Sequence, residues 1–215
     1  IDLNTANPFK WLKKQEASVP DTSQKQSQEA VAAGMMRDAK TAASTGNKGR
    51  AQDLYKSVVK QYPFTDAAAD AQFEYARLLK ENGKFEDAYD AFQKFISDFR
   101  QSPRFAEAVQ EQFQIAEESR TGKHSSVFVV IPAKVGPTKL IEMYQGVIRN
   151  APYSKYSAPA MFAIGEIYQD KGDKALADAA FQQVVDTHPG TRLAAEAQFR
   201  IGSINNANAR RTHAS

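Results

Sequence analysis

The sequence predicts an all-α fold: an α-solenoid of about five helix-turn-helix repeats with a C-terminal capping helix and an insertion in the third repeat. Three observations predict it. First, a short block recurs, made of an aromatic, any residue, an apolar residue and then Ala or Gly. It stands as Phe73-Glu74-Tyr75-Ala76, Phe113-Gln114-Ile115-Ala116, Phe162-Ala163-Ile164-Gly165 and Phe199-Arg200-Ile201-Gly202, with a degenerate copy at Met36-Arg37-Asp38-Ala39. The small residues at 39, 76, 116, 165 and 202 are spaced by 37, 40, 49 and 37 positions, which is the signature of a repeat array. Second, fixed offsets follow the small residue. A turn glycine comes seven later (Gly46, Gly83, Gly172), an alanine five after that (Ala51, Ala88, Ala177) and a ring four after that (Tyr55, Phe92, Phe181). Third, the 215-residue chain holds 34 alanines, while its 11 glycines and 9 prolines fall between the apolar-periodic blocks.

The elements follow in order. Residues 1–27 precede the array. Gln15–Ser27 is polar, Ser/Gln-rich and interrupted by Pro20, and reads as a linker. Ahead of it Phe9-Lys10-Trp11-Leu12-Lys13-Lys14 reads either as an arm packing its rings on the first repeat or as a basic–aromatic contact to a partner or membrane surface. Helix pairs are expected over 28–44 with 49–61, 67–82 with 85–99, 104–120 with 137–150, and 156–171 with 174–187. A last helix near 192–208 closes an array spanning 28–210, and 211–215 reads as a frayed tail. Within each pair, alanine and ring at i, i+4 share one helix face. The small residue lets two helices approach and the ring fills the space beside it. Pro63, Pro152 and Pro189 stop the second helices. The third unit breaks the rule: Thr121–Gly136 stands where three residues would serve. It contains Val127-Phe128-Val129-Val130-Ile131-Pro132, β-branched and apolar. Such a run either folds over the next repeat or contacts a partner, which makes Phe128, Val129, Val130 and Ile131 candidate protein-binding residues.

The pattern Gly46/Ala51/Tyr55/Pro63, Ala76/Gly83/Ala88/Phe92 and Gly165/Tyr168/Gly172/Ala177/Phe181/Pro189 resembles the tetratricopeptide repeat (TPR) over roughly residues 28–210. The period runs about three residues longer than the usual ~34, with the surplus in the connectors Tyr62–Asp66, Ala151–Tyr156 and His188–Thr191. A P-x-S/T connector before an Ala-rich helix is similar to a bacterial envelope branch of the family. That branch includes the BamD-like lipoproteins of outer-membrane protein assembly and the YbgF-like Tol–Pal-associated proteins. The resemblance implies a non-enzymatic protein-protein interaction scaffold in the periplasm, associated with the outer membrane. Its partners would be other proteins or peptides, including outer-membrane assembly components. It would be anchored through a lipidated cysteine upstream of Ile1, with the cytoplasm still open as a location. The YbgF-like alternative is a soluble periplasmic or cytosolic adaptor that grips an extended peptide in its concave groove; a regulatory TPR domain of a larger protein is the third reading. The first helix of each pair lines the concave face in this family, so the resemblance puts Met36, Phe73, Phe113, Phe162 and Phe199 near a groove. Their regular spacing reads equally as core.

No catalytic residues, cofactor or metal site are expected. Cysteine is absent, and the three histidines (His124, His188, His213) do not pair at helical spacing. The nucleophile-elbow, phosphate-loop and dinucleotide-binding glycine patterns are all missing. A balance of 28 basic to 25 acidic residues does not suit a nucleic-acid binder. No apolar run approaches the roughly 18 residues of a membrane span. Charge is uneven along the chain: residues 67–122 carry seven bases against eleven acids, and residues 123–155 five bases against one. Opposed patches of this kind orient partners.

Overall fold

The computed structural model describes residues 21–122 and 135–212, with side chains up to residue 206. Among them lie nine α-helices: α1 (Thr22–Ser44), α2 (Lys48–Gln61), α3 (Asp66–Glu81), α4 (Phe85–Asp98), α5 (Phe105–Thr121), α6 (Pro137–Asn150), α7 (Ser157–Asp170), α8 (Lys174–Thr187) and α9 (Arg192–Thr212). Seven match the expected spans within two residues. α1 starts six residues early, because Asp21 and Gln24 form a reciprocal capping box that takes the polar run 22–27 into the helix, so the linker reading fails there. α9 runs four residues further than expected, to Thr212.

Each of α1, α3, α5 and α7 pairs with the even-numbered helix after it, while α9 packs on α8; α1 also stacks on α3 and α7 on α9. Local chemistry sets the boundaries. Asn47, Thr65 and Asp173 accept hydrogen bonds from backbone N–H groups three residues on, satisfying orphan donors at the starts of α2, α3 and α8. Pro137 occupies the first turn of α6, where no donor is needed. Gly46, Gly83 and Gly172 turn the chain between paired helices at φ of 81°, 72° and 79°, a left-handed conformation open to glycine at no steric cost. Glu29 on α1 accepts from the backbone N–H groups of Asp66 and Ala67 at 2.8 and 3.1 Å, so its carboxylate sits on the positive end of α3 and ties the first two repeats together.

The core runs along the stack as three clusters: α1 to α3, α3 to α7, and α7 to α9. The small-then-ring pattern packs as its spacing requires. Ala51, Ala88 and Ala177 are wholly buried, and Tyr55, Phe92 and Phe181 fill the space four residues on. Two glycines mark the tightest approaches. A Cβ on Gly165 would lie 2.6 Å from the Phe181 ring, and one on Gly146 would lie 2.0 Å from the Tyr89 hydroxyl, which donates to the Met143 carbonyl at 2.7 Å. Burial pushes the Tyr89 hydroxyl pKa well above its ordinary value. Several polar side chains inside the stack are paired. The amides of Gln93, Gln112 and Asn150 bond to one another across α4, α5 and α6, and Gln72 donates to the Ala91 carbonyl at 2.8 Å.

Candidate protein-binding surfaces

The aromatic ladder is the first candidate, and the structure corrects it. Met36, Phe73 and Phe162 are buried and not available to a ligand, with Phe73 at 0% and Phe162 at 7% exposure. Three residues before the small marker, a side chain points at the second helix of its own pair. Phe73 packs edge-on against Phe92 and Phe95 at 5.1 and 5.3 Å, and Phe162 meets Phe181 at 5.1 Å. Phe113 is half-buried between Tyr144 and Tyr156. Only Phe199 of the five is open, at 72% exposure. The second candidate set, Phe128, Val129, Val130 and Ile131, lies outside the described residues.

Charge occupies the odd-helix face instead of rings. Arg104, the N-cap residue of α5, stacks its guanidinium 3.4 Å over the Phe73 ring of α3 and bridges Glu74 and Glu107, each at 2.9 Å. Burial works against the Arg104 charge, but the bonds to Glu107 and Glu74 outweigh it and raise its pKa. Lys80 of α3 reaches Glu111 and Glu118 of α5 at 2.8 and 3.4 Å. Arg120 of α5 reaches Glu166 of α7 at 3.1 Å, and Arg200 of α9 reaches the same carboxylate at 3.4 Å. The Tyr144 hydroxyl donates to Glu117, which also pairs with Arg120; burial first and that bond second raise the tyrosine pKa. The bridges from Arg104 to Glu74, Lys80 to Glu111 and Glu118, and Arg120 and Arg200 to Glu166 cross from one repeat to the next. The sequence carried a usable signal: Lys80 and Arg120 both stand four residues after their markers, each facing acids on the following odd-numbered helix.

Hollows open on the surface among the described residues, three of them as follows. One of about 410 Å³ lies between α1 and α3, lined by Ala43 and mainly by polar side chains: Lys40, Ser44, Tyr55, Glu74, Arg77 and Glu81. One of about 710 Å³ lies between the connectors at Pro63–Asp66 and Phe99–Pro103. The third, about 760 Å³, is a groove between the even-numbered helices α2 and α4 with α3 beneath. Its floor is Tyr75, Leu79, Val59 and Ala91; Lys56 and Lys60 stand on the α2 wall, and Asp87, Asp90 and Lys94 on the α4 wall. Tyr75 is only half-buried there, with the Lys56 ammonium 5.2 Å from its ring centroid. The other connectors expose Tyr153, at 99%, beside Pro152. Among the described residues no group of three or more acidic or histidine side chains could hold a metal ion, and no helix is long and apolar enough to cross a membrane.

Two family models, both described as tetratricopeptide repeat, match the chain at residues 36–104 and 159–191, which takes in α2, α3, α4 and α8 whole and most of α7. The chain carries tetratricopeptide repeats. Solved structures that it resembles include MamA (17% identity, 85% of each chain covered, TM-score 0.44). They also include a tetratricopeptide repeat protein from Parabacteroides merdae (11% identity, 82% of this chain and 60% of that one, TM-score 0.45). A third is the kinesin-light-chain-like TPR repeats of Podosopora anserina (16% identity, 91% and 92% covered, TM-score 0.38). No curated protein matches the chain. TPR domains typically serve as protein-protein interaction scaffolds. The family models leave out α5 and α6, the pair on either side of the long interhelix segment.

Proposed function

We propose that this TPR array is a non-enzymatic scaffold that holds other polypeptides, and that the groove between α2 and α4 is its seat. The observation that carries this is the contrast between the two faces. On the odd-helix face the ladder side chains from Met36 to Phe162 are buried or half-buried, and surface charges are tied to one another across repeats. On the even-helix face the groove keeps a half-buried Tyr75 and an apolar floor in reach of solvent, between a basic wall and a mainly acidic one. An apolar side chain on a bound segment would rest on Tyr75 and Val59, and charges on either side of it would choose the direction of the segment.

Selection from a random peptide library on the immobilised protein tests the reading. Enriched sequences should share an apolar anchor flanked by charge. Their binding should fall at least ~tenfold, about 1.4 kcal/mol, with Tyr75→Ser or with Lys56→Glu plus Lys60→Glu. Binding that ignores these changes and is lost with Arg77→Glu would move the site to the odd-helix face.

The finer reading is a BamD-like scaffold of outer-membrane protein assembly at the bacterial envelope, with a soluble YbgF-like adaptor as its rival. What supports it is the connector sequence at Pro63-Phe64-Thr65, Pro152-Tyr153-Ser154 and Pro189-Gly190-Thr191. Fractionation of source cells with an antibody to the chain separates the options. Recovery with outer membranes is expected, recovery in the soluble periplasm favours the adaptor, and recovery in cytosol alone overturns both.

A further inference from the structure

α9 repeats both halves of a lock that is closed elsewhere in the chain. In the antiparallel pair α7–α8, Phe162 and Gly165 form a ring-and-seat on α7. Phe181 of α8 lies on the seat, so close that a Cβ there would overlap it, and Ala177 four residues before it is buried in the contact. α9 carries the seat at the same spacing, Phe199 and Gly202. It also carries the key at the same spacing, Ala195 and Phe199 in place of Ala177 and Phe181. Neither half is engaged. Phe199 is 72% exposed, Ala195 and Gly202 are exposed, and nothing lies within 4 Å of where a Gly202 Cβ would stand.

The face around this stripe is unlike the rest of the surface. Between Ala195 and Asn206 every exposed residue is uncharged: Gln198, Ser203, Asn205 and Asn206 flank Ala195, Phe199 and Gly202. The two charged residues in the span, Glu196 and Arg200, are partly buried and joined to each other at 3.5 Å, with Arg200 also held by Glu166. In a protein whose residues are 25% charged, a neutral helix face with a bare ring at its centre is a surface that tolerates contact with itself.

The geometry points to a second copy of this chain as the occupant, in an antiparallel α9–α9 contact about a two-fold axis. Phe199 of each copy would lie on Gly202 of the other, as Phe181 lies on Gly165, and the two Phe199 rings would meet as Phe162 and Phe181 do. A two-fold contact requires one patch to be its own complement, and a helix bearing key and seat three residues apart meets that requirement. In the same register Ala195 faces Asn206 and Gln198 faces Ser203, so no like charges meet. The contact repeats the α7–α8 packing at α9 and is independent of the α2–α4 groove.

Sedimentation of the 215-residue chain across the micromolar range is the test. A concentration-dependent dimer is expected, with Phe199→Glu weakening association by more than ~100-fold. The dilute chain's melting temperature should be unchanged, because the ring is exposed. Mixing Gln198→Cys and Ser203→Cys chains should give the mixed disulfide in preference to either like pair, as an antiparallel register demands. A chain that stays monomeric throughout, or a dimer indifferent to Phe199→Glu, overturns the proposal. So does a monomer that binds a synthetic α8 peptide (residues 174–187) through Phe199, which would assign the face to a helix of another polypeptide.

Discussion

α7 and α9 carry nearly the same four residues, Phe162-Ala163-Ile164-Gly165 and Phe199-Arg200-Ile201-Gly202, and the structure treats them in opposite ways. In α7 the ring and glycine are sealed by α8, and the Arg200 guanidinium stands over the ring, 5.8 Å from its centroid. In α9 they are bare. The repeat motif therefore encodes a place to receive a helix, not burial itself; burial follows only where a helix is received. The largest expected effect comes from the rings. Phe162→Ala should cost about 3–5 kcal/mol of unfolding free energy, as for a core phenylalanine. Phe199→Ala should stay within about 0.5 kcal/mol in dilute solution, as for a surface change. Urea titrations of both would break the comparison if the two losses were equal.

The glycines should separate by sign. Gly165→Ala places a methyl inside contact distance of Phe181 and should destabilise by about 1–3 kcal/mol. Gly202→Ala meets open space in a helix, and the gain in helix propensity should stabilise by about 0.5–1 kcal/mol. Melting of the two variants side by side checks this, and a loss at Gly202 would mean that the seat is already occupied in solution.

The contrast also explains how much could be read from the sequence. The stack was legible because glycine turns, small–ring pairs and proline stops each have a local cause, and seven helices fall where those signals put them. The start of α1 was hidden by its composition: Ser and Gln over 22–27 look like linker until Asp21 and Gln24 are seen to close a capping box. The site was less legible. Met36, Phe73 and Phe162 have the regular spacing of a ligand ladder and of a core alike, and only the direction of each Cβ toward the paired helix decides. The charge ladder and the α2–α4 groove depend on which helices are neighbours across 30 to 50 residues of chain. Lys80 to Glu111 and Arg120 to Glu166 are legible only once the repeats are stacked.

Phe73 and Phe199 differ further in what covers them from the next repeat. Phe73 lies under the flat face of the Arg104 guanidinium, held in place by carboxylates on both sides. Arg104→Lys keeps the charge but loses the planar stack and the forked bond, and should cost about 1 kcal/mol. Arg104→Leu should fall between the two, because it restores an apolar cover without the bridges. Equal stability of Arg104→Lys and the parent chain would show that the ring needs no cover from the next repeat, and Phe199 would then cease to be exceptional.

The smallest effect tests what holds Arg104 there. The hydrogen bond from Arg104 keeps the Glu107 carboxyl below its ordinary pKa, partial burial opposing it, with Arg104 and Arg77 adding through-space attraction. A carboxyl whose pKa is lower folded than unfolded binds fewer protons in the folded state. Its contribution is therefore complete above the unfolded value, near 4.3 for glutamate, and is lost as pH falls through the folded one. Glu107 is close to half exposed, so water screens the pair and the contribution should be only a few tenths of a kcal/mol. The melting temperature of Glu107→Gln should lie slightly below the parent's at neutral pH. The gap should close on acidification below the ordinary carboxylate range, where the parent's Glu107 becomes as neutral as the glutamine. A gap that persists unchanged into acid would mean that Glu107 holds Arg104 by shape rather than charge. The guanidinium over Phe73 would then owe its place to the ring and Glu74 alone.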